Sequence, residues 1–186
     1  MWENALGKLE SRRVKTIAVE GRKGEAVFSA DLLYRYYLSR PFDAQALRPN
    51  LCQFIMLNPS TADADVDDPT VTRCVSYARL WGHTGVIITN LFALRATDPR
   101  ELHRADDPVG DSNAEFVLHA ATHPDVTRVV CAWGTHGART NAGDSMRSRL
   151  RERGVMPCAL RITRDGQPAH PLYLPRDLEP VPLLER

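Results

Sequence analysis

The run Leu51-Cys52-Gln53-Phe54-Ile55-Met56-Leu57 is apolar almost throughout and stops abruptly at Asn58-Pro59-Ser60-Thr61. Seven residues are too few for a typical helix, so the run predicts a central strand. Pro59 removes a donor and fixes φ, while Asn and Ser favour turns, so the strand must end there. Polar groups therefore collect at the carboxyl end of a central strand. In open α/β sheets that is where ligands bind. An ordinary strand-to-loop turn with local side-chain caps is the alternative.

The same design repeats downstream. Gly85 to Phe92 is a second apolar strand that carries a polar residue, Asn90, near its end. Arg128 to Trp133 is a third, closing on the small-residue loop Gly134-Thr135-His136-Gly137, and Val155 to Ile162 reads as a fourth. Between them, Asp68-Pro69 marks a helix start, with Asp as N-cap and Pro in the first turn. That helix is expected to run through Trp81 and stop at Gly82. Further helices are predicted over 112–121 and 142–153, the latter amphipathic and basic. Upstream, Val14 to Glu20 alternates polar and apolar residues, and a Gly21–Gly24 turn joins it to Ala26–Ser29. Tyr34 to Leu38 is β-prone; its clustered tyrosines read as sheet packing, with base stacking as the alternative.

Strands alternating with helices predict an α/β layered fold around a mainly parallel sheet. The chain is read as one domain over 1–186: a β-rich extension (1–50), an α/β core (51–175) and a Pro-rich tail (176–186). A hydrophobic fraction of 43% with 25% charged residues suits a globular chain of 186 residues with a sizeable core. No run of ~18 apolar residues is present, so no transmembrane helix is expected. The N-terminal Met1-Trp2-Glu3-Asn4 lacks the order of a signal peptide, which makes the cytoplasm the expected location. A net charge of +1 confines any nucleic-acid surface to a local patch, either Arg95/Arg100/Arg104 or Arg147/Arg149/Arg151/Arg153.

Several chemistries lack their signatures. There is no P-loop, no Rossmann glycine fingerprint and no serine-hydrolase elbow, and no cofactor is expected. The cysteines (Cys52, Cys74, Cys131, Cys158) form no CxxC pair and are expected as small core hydrophobes. The histidines at 83, 103, 119, 123 and 136 show no metal-ligand spacing. The alternate aspartates Asp63, Asp65 and Asp67 suggest a calcium loop, but Asp68 and Cys74 stand where an EF-hand needs Gly and Glu. What remains is Asn58, Asn90 and Gly134-Thr135 at the ends of three strands, with His170 ahead of a terminal segment that can return to the same edge. An Asn amide offers a donor and an acceptor side by side and can pair with a nucleobase edge. A His can stabilise charge on a departing base.

The string Met56-Leu57-Asn58-Pro59-Ser60-Thr61-Ala62-Asp63 is similar to the signature of a family of small bacterial and phage proteins of unknown function. Asp67-Asp68-Pro69-Thr70, Asn90 to Thr97 and Asp107-Pro108-Val109-Gly110 extend the likeness over most of residues 26–175. More distantly, the order of motifs resembles the uracil-DNA glycosylase superfamily. Asn58-Pro59 matches that superfamily's first motif, and Gly85-Val86-Ile87-Ile88-Thr89-Asn90 its base-reading strand. Ala93-Leu94-Arg95-Ala96 matches the continuation of that strand, and Ala132-Trp133-Gly134 a later one. His170-Pro171-Leu172-Tyr173-Leu174 matches the last motif, with Pro-Leu-Tyr in place of Pro-Ser-Pro. Ser60 replaces the Tyr or Gly that follows the first motif there.

This resemblance implies an α/β/α fold and hydrolysis of an N-glycosidic bond on DNA. Asn58 would position water, Asn90 would read the base, His170 would stabilise the leaving base, and Leu174 or Tyr173 would wedge the helix. Asp63, or else Asp67 or Asp68, offers a carboxylate for water activation. The catalytic set is thus Asn58, His170 and Asp63; the substrate-binding set is Asn90, Ser60, Thr61, Arg95, Gly134 and Leu174. The expected partner is DNA or a nucleotide. Other readings are a non-catalytic base-binding module, a metal-dependent hydrolase built on Asp63–Asp68, and a sheet edge with turn asparagines and a capping His.

Overall fold

The computed structural model describes residues 16–21, 24–60, 62–98, 100–138 and 141–183. Among these, eight strands form one sheet: β1 (Thr16–Gly21), β2 (Gly24–Ser29), β3 (Arg35–Pro41), β4 (Leu51–Met56), β5 (Gly85–Asn90), β6 (Val126–Cys131), β7 (Cys158–Ala159) and β8 (Val181–Pro182). Three α-helices accompany them: α1 (Pro69–Leu80), α2 (Asn113–Ala121) and α3 (Ala142–Glu152). None is long and apolar enough to cross a membrane.

The strand order is β1-β2-β3-β5-β4-β6-β7-β8. The expectation of a mainly parallel sheet needs correction, because the sheet is mixed. Its centre, β5-β4-β6-β7, is parallel. The N-terminal strands add antiparallel on one side through β3 and β5, and β8 adds antiparallel on the other. The reason lies in the connections: short turns can join only antiparallel neighbours, whereas each parallel pair needs a crossover. Strands β1–β3 of the N-terminal segment therefore belong to the same sheet as the core strands.

Both faces of the central strands are covered, as parallel strands require. Cys52, Phe54 and Met56 of β4 pack with Val71, Cys74, Tyr77 and Ala78 of α1. The alternate residue Ile55 packs on the other side with Val117 of α2 and Met146 and Leu150 of α3. Cys52, Cys74 and Cys131 are fully buried, and burial pushes their thiols well above the usual value, so they act as core hydrophobes.

The expected fourth strand over 155–162 shrinks to Cys158–Ala159. Beyond Leu160 the chain leaves the sheet and turns back on itself, bridging Ile162 to Pro168, with Thr163 and Gln167 bonded across the turn. That excursion delivers His170 to the sheet edge. The tail is docked along α1. Arg73 donates to the Leu174 carbonyl (2.9 Å), the Tyr77 hydroxyl to Pro175 O, and the Trp81 indole to Leu178 O (3.0 Å).

Candidate functional site

The connection leaving β4 goes through α1 to one neighbour, while the connection leaving β6 goes through α3 to the other side of the sheet. Adjacent strands whose exits part in opposite directions leave a crevice at their carboxyl ends. A cleft of about 580 Å³ lies at these carboxyl ends. Asn58, Ser60, Asn90, Gly134, His170 and Leu174 all line it, so six of the residues singled out from sequence converge there. Asp63 and Arg95 do not border it, and Thr61 lies outside the described residues.

Backbone pairing beyond the strand ends builds the floor. Leu91 and Phe92 donate to Met56 O and Leu57 O (both 2.9 Å), and Ala96 donates to Pro59 O (3.0 Å). The exits of β4 and β5 are thereby locked together. Asn113, at the first turn of α2 and fully buried, donates its amide to Asn90 O (3.0 Å) and Leu91 O (2.9 Å). Gly134 N donates to Pro168 O (2.8 Å), tying the end of β6 to the segment that carries His170. Gly134 adopts φ +73°, and a Cβ there would sit 3.6 Å from the His170 Cβ, so glycine is needed for the left-handed backbone rather than for space.

Asn58 Nδ2 donates to Pro59 O (3.0 Å) and Ala96 O (2.7 Å). Two carbonyl partners fix which end of the amide is nitrogen. Oδ1 is then the end left for a ligand: an acceptor that can orient a water but not take its proton. Asn90 is 1% exposed, and neither Oδ1 nor Nδ2 has a partner in the protein. An unpaired buried polar atom costs about 1–3 kcal/mol, and this side chain carries two.

His170 caps the short 3₁₀ turn Pro171–Tyr173, its Nδ1 accepting from Leu172 N at 3.3 Å. In the neutral ring Nε2 then carries the hydrogen and is a donor. Burial lowers the His170 pKa below the usual 6.5, with the Asp68 carboxylate opposing that shift. A folded pKa below the unfolded one means stability that is complete above pH ~6.5 and lost as pH falls through the lowered value. His170→Asn keeps a cap acceptor but does not titrate. The wild type should therefore lose more melting temperature than this variant between pH 7 and pH 5, as thermal melts across that range will measure.

The carboxylates near the cleft divide by role. Asp63 closes its own turn, Oδ1 accepting from Asp65 N (2.9 Å) and Val66 N (2.8 Å). Asp67 pairs with Arg40 at 2.6 Å. Asp68 borders the cleft while capping α1 through Val71 N (2.8 Å). Among the described residues no three metal-binding side chains converge. Arg95 lies with its guanidinium over the Phe28 ring (5.2 Å) and donates to Leu32 O (3.2 Å).

Of three further cleft residues, Tyr173 is a wedge candidate already named from the sequence, whereas Trp133 and Arg35 are not among the expected site residues. Trp133 is buried with its indole donating to Gln167 Oε1 (2.9 Å). Tyr173, by contrast, is 83% exposed at the rim beside the His170 ring. Leu174 is partly buried against the α1-side core. The third is Arg35. Along β2 the partner advances from Tyr37, opposite Val27, to Arg35, opposite Phe28, making Tyr36 the extra residue of a β-bulge. The bulge turns Arg35 from the tyrosine side toward the cleft. A strict two-residue alternation gives no sign of this.

Residues 35–172 match a family described as "Protein of unknown function (DUF1643)". The chain belongs to the DUF1643 family. The matched span starts at Arg35 and ends just past His170, so it holds the whole set of strand exits that build the cleft. No curated protein matches the chain, and no solved structure does.

Proposed function

We propose that this DUF1643 protein is a DNA glycosylase-like hydrolase that cleaves the N-glycosidic bond of a modified or damaged base, with a uracil-DNA glycosylase-like arrangement around the central strands. The observation that carries the reading is Asn90: a buried amide, unpartnered at both ends, on the wall of a cleft it shares with Asn58 and His170. An amide left open at donor and acceptor together suits the edge of a nucleobase. A base reaching it must leave its stack, at a cost of a few kcal/mol. In this reading Asn58 Oδ1 orients the attacking water, and the Asp68 carboxylate, which lines the same cleft, takes the proton the water gives up as it attacks the sugar carbon. The Nε2 hydrogen of His170 is donated to the departing base as negative charge develops. Tyr173 at the rim fills the gap in the stack. The partner is DNA and the setting cytoplasmic.

The test is release of free base, scored by mass spectrometry, from single- and double-stranded oligonucleotides carrying uracil, damaged and hypermodified bases. The wild type should release one of them, and His170→Ala should cut the rate roughly 100-fold or more. Release by neither strand form of any substrate contradicts the catalytic reading. One observation favours a base-binding module without turnover as the second reading: the residue at the first motif is an amide whose oxygen cannot accept a proton. Binding of an oligonucleotide with no base released would establish it.

A further inference from the structure

Among the described residues lining the cleft, Arg35 is the one arginine or lysine; it is 2% exposed, at the start of β3 where it runs beside the end of β5. Its Nη1 donates to the Ala62 carbonyl. Among the described residues Nε has no partner, Nη2 makes no hydrogen bond, and no carboxylate stands within ion-pair distance. Burial lowers its pKa to about 10, with Asp68 and Asp63 opposing and Arg95 and Arg40 adding to the shift. The group therefore stays charged at neutral pH.

A charge taken out of water without a partner is costly, and proteins rarely keep one without use. Nε and Nη2 lie along one edge of the planar guanidinium. That edge matches the two oxygens of a carboxylate in a fork of parallel, charge-assisted bonds. Arg35, through Nε and Nη2, and Asn90, through its amide, thus border one cleft with donors unspent, and both sit deep. A backbone phosphate would stay near the mouth of the cleft, whereas a group on the base itself reaches this depth. Resting on the base-reading assignment of Asn90, we propose that Arg35 is the anion anchor of the cleft and that the ligand is a base carrying an anionic oxygen group, a carboxylate in the simplest case, on the edge that Asn90 reads.

Calorimetric titration of the full chain with matched free bases tests this. The pairs are uracil against uracil-5-carboxylate and uracil-6-carboxylate, and purine against purine-6-carboxylate, with inorganic phosphate as a separate arm. The wild type should bind one carboxylated base at least tenfold more tightly than its neutral parent. Arg35→Met should lose that preference, and Arg35→Lys should recover only part of it, since an ammonium keeps the charge but not the fork. Circular dichroism melts establish that each variant is folded; if Arg35→Met does not fold, the wild-type preference and the Arg35→Lys loss decide alone. Equal affinity within every pair, no binding of any base, or a preference that survives in Arg35→Met overturns the proposal. So does phosphate displacing the carboxylated base at equal concentration, which would move the anion to the nucleic-acid backbone. None of these probes has a glycosidic bond. A carboxylate preference without base release from oligonucleotides keeps this inference and removes catalysis; release without the preference does the reverse.

Discussion

Asn90→Ala should abolish recognition and leave the protein as stable as before, or slightly more so. The amide makes no hydrogen bond inside the protein although it is almost wholly buried. Its removal relieves the cost of two unsatisfied polar atoms, about 1–3 kcal/mol each, and opens only a small cavity in exchange. A residue kept for packing shows the opposite sign. On function, a bidentate base contact is worth ~1–3 kcal/mol of discrimination, and loss of a transition-state donor costs roughly 100- to 1,000-fold in rate. Thermal melts and base-release kinetics on one preparation will read both. The combination of unchanged or raised Tm with lost activity separates a site residue from a structural one.

Arg40→Met should act on stability instead. Arg40 is 3% exposed and holds the whole 63–67 loop. Its Nε pairs with Asp67, its Nη1 donates to Ser39 O (2.8 Å), and its Nη2 reaches Asp63 O and Val66 O. Methionine fills similar space but takes one donor away from the Asp67 carboxylate and from each of three carbonyls. Breaking a buried ion pair by removing one partner costs ~3–5 kcal/mol, and because Asp67 keeps 22% exposure the loss here lies at the low end, about 3 kcal/mol. For a chain of this size that is a fall in Tm on the order of 10 °C. The loop joins β4 to α1, so Asn58 at one end and Asp68 at the other lose their anchor too, and activity should fall with stability. Denaturant melts of the variant, compared with Asp67→Asn, will show how much of the loss belongs to the ion pair and how much to the carbonyls.

The sequence made the cleft legible because its parts are local. An apolar run broken by Asn-Pro, a strand ending in Asn90 and an Asp68-Pro69 helix start each state their own position. The first turn of α1 has the Asp cap that the spelling implies. What the sequence hid depends on contacts distant along the chain. The alternating aspartates look like a chemical cluster, yet Asp63 closes a turn and Asp67 answers an arginine more than twenty residues upstream. Arg95 reads as a surface cation but lies over Phe28. Arg35 sits among tyrosines, and only the bulge at Tyr36 decides which face it takes. The mixed character of the sheet has the same origin. Nothing in Tyr34–Leu38 says that β3 will pair with β5, and that one pairing merges the N-terminal hairpins with the core.

In the proposed reading the Asn90 amide is held open for the edge of a base. Its side-chain ¹⁵N–¹H resonances, identified by their loss in Asn90→Ala, report on that atom directly. On titration with free neutral and carboxylated bases, the amide protons should move downfield and exchange more slowly with water as a base binds. Binding that leaves both resonances where they are would contradict the claim, because the cleft would then recognise its ligand without the residue on which this account of it rests.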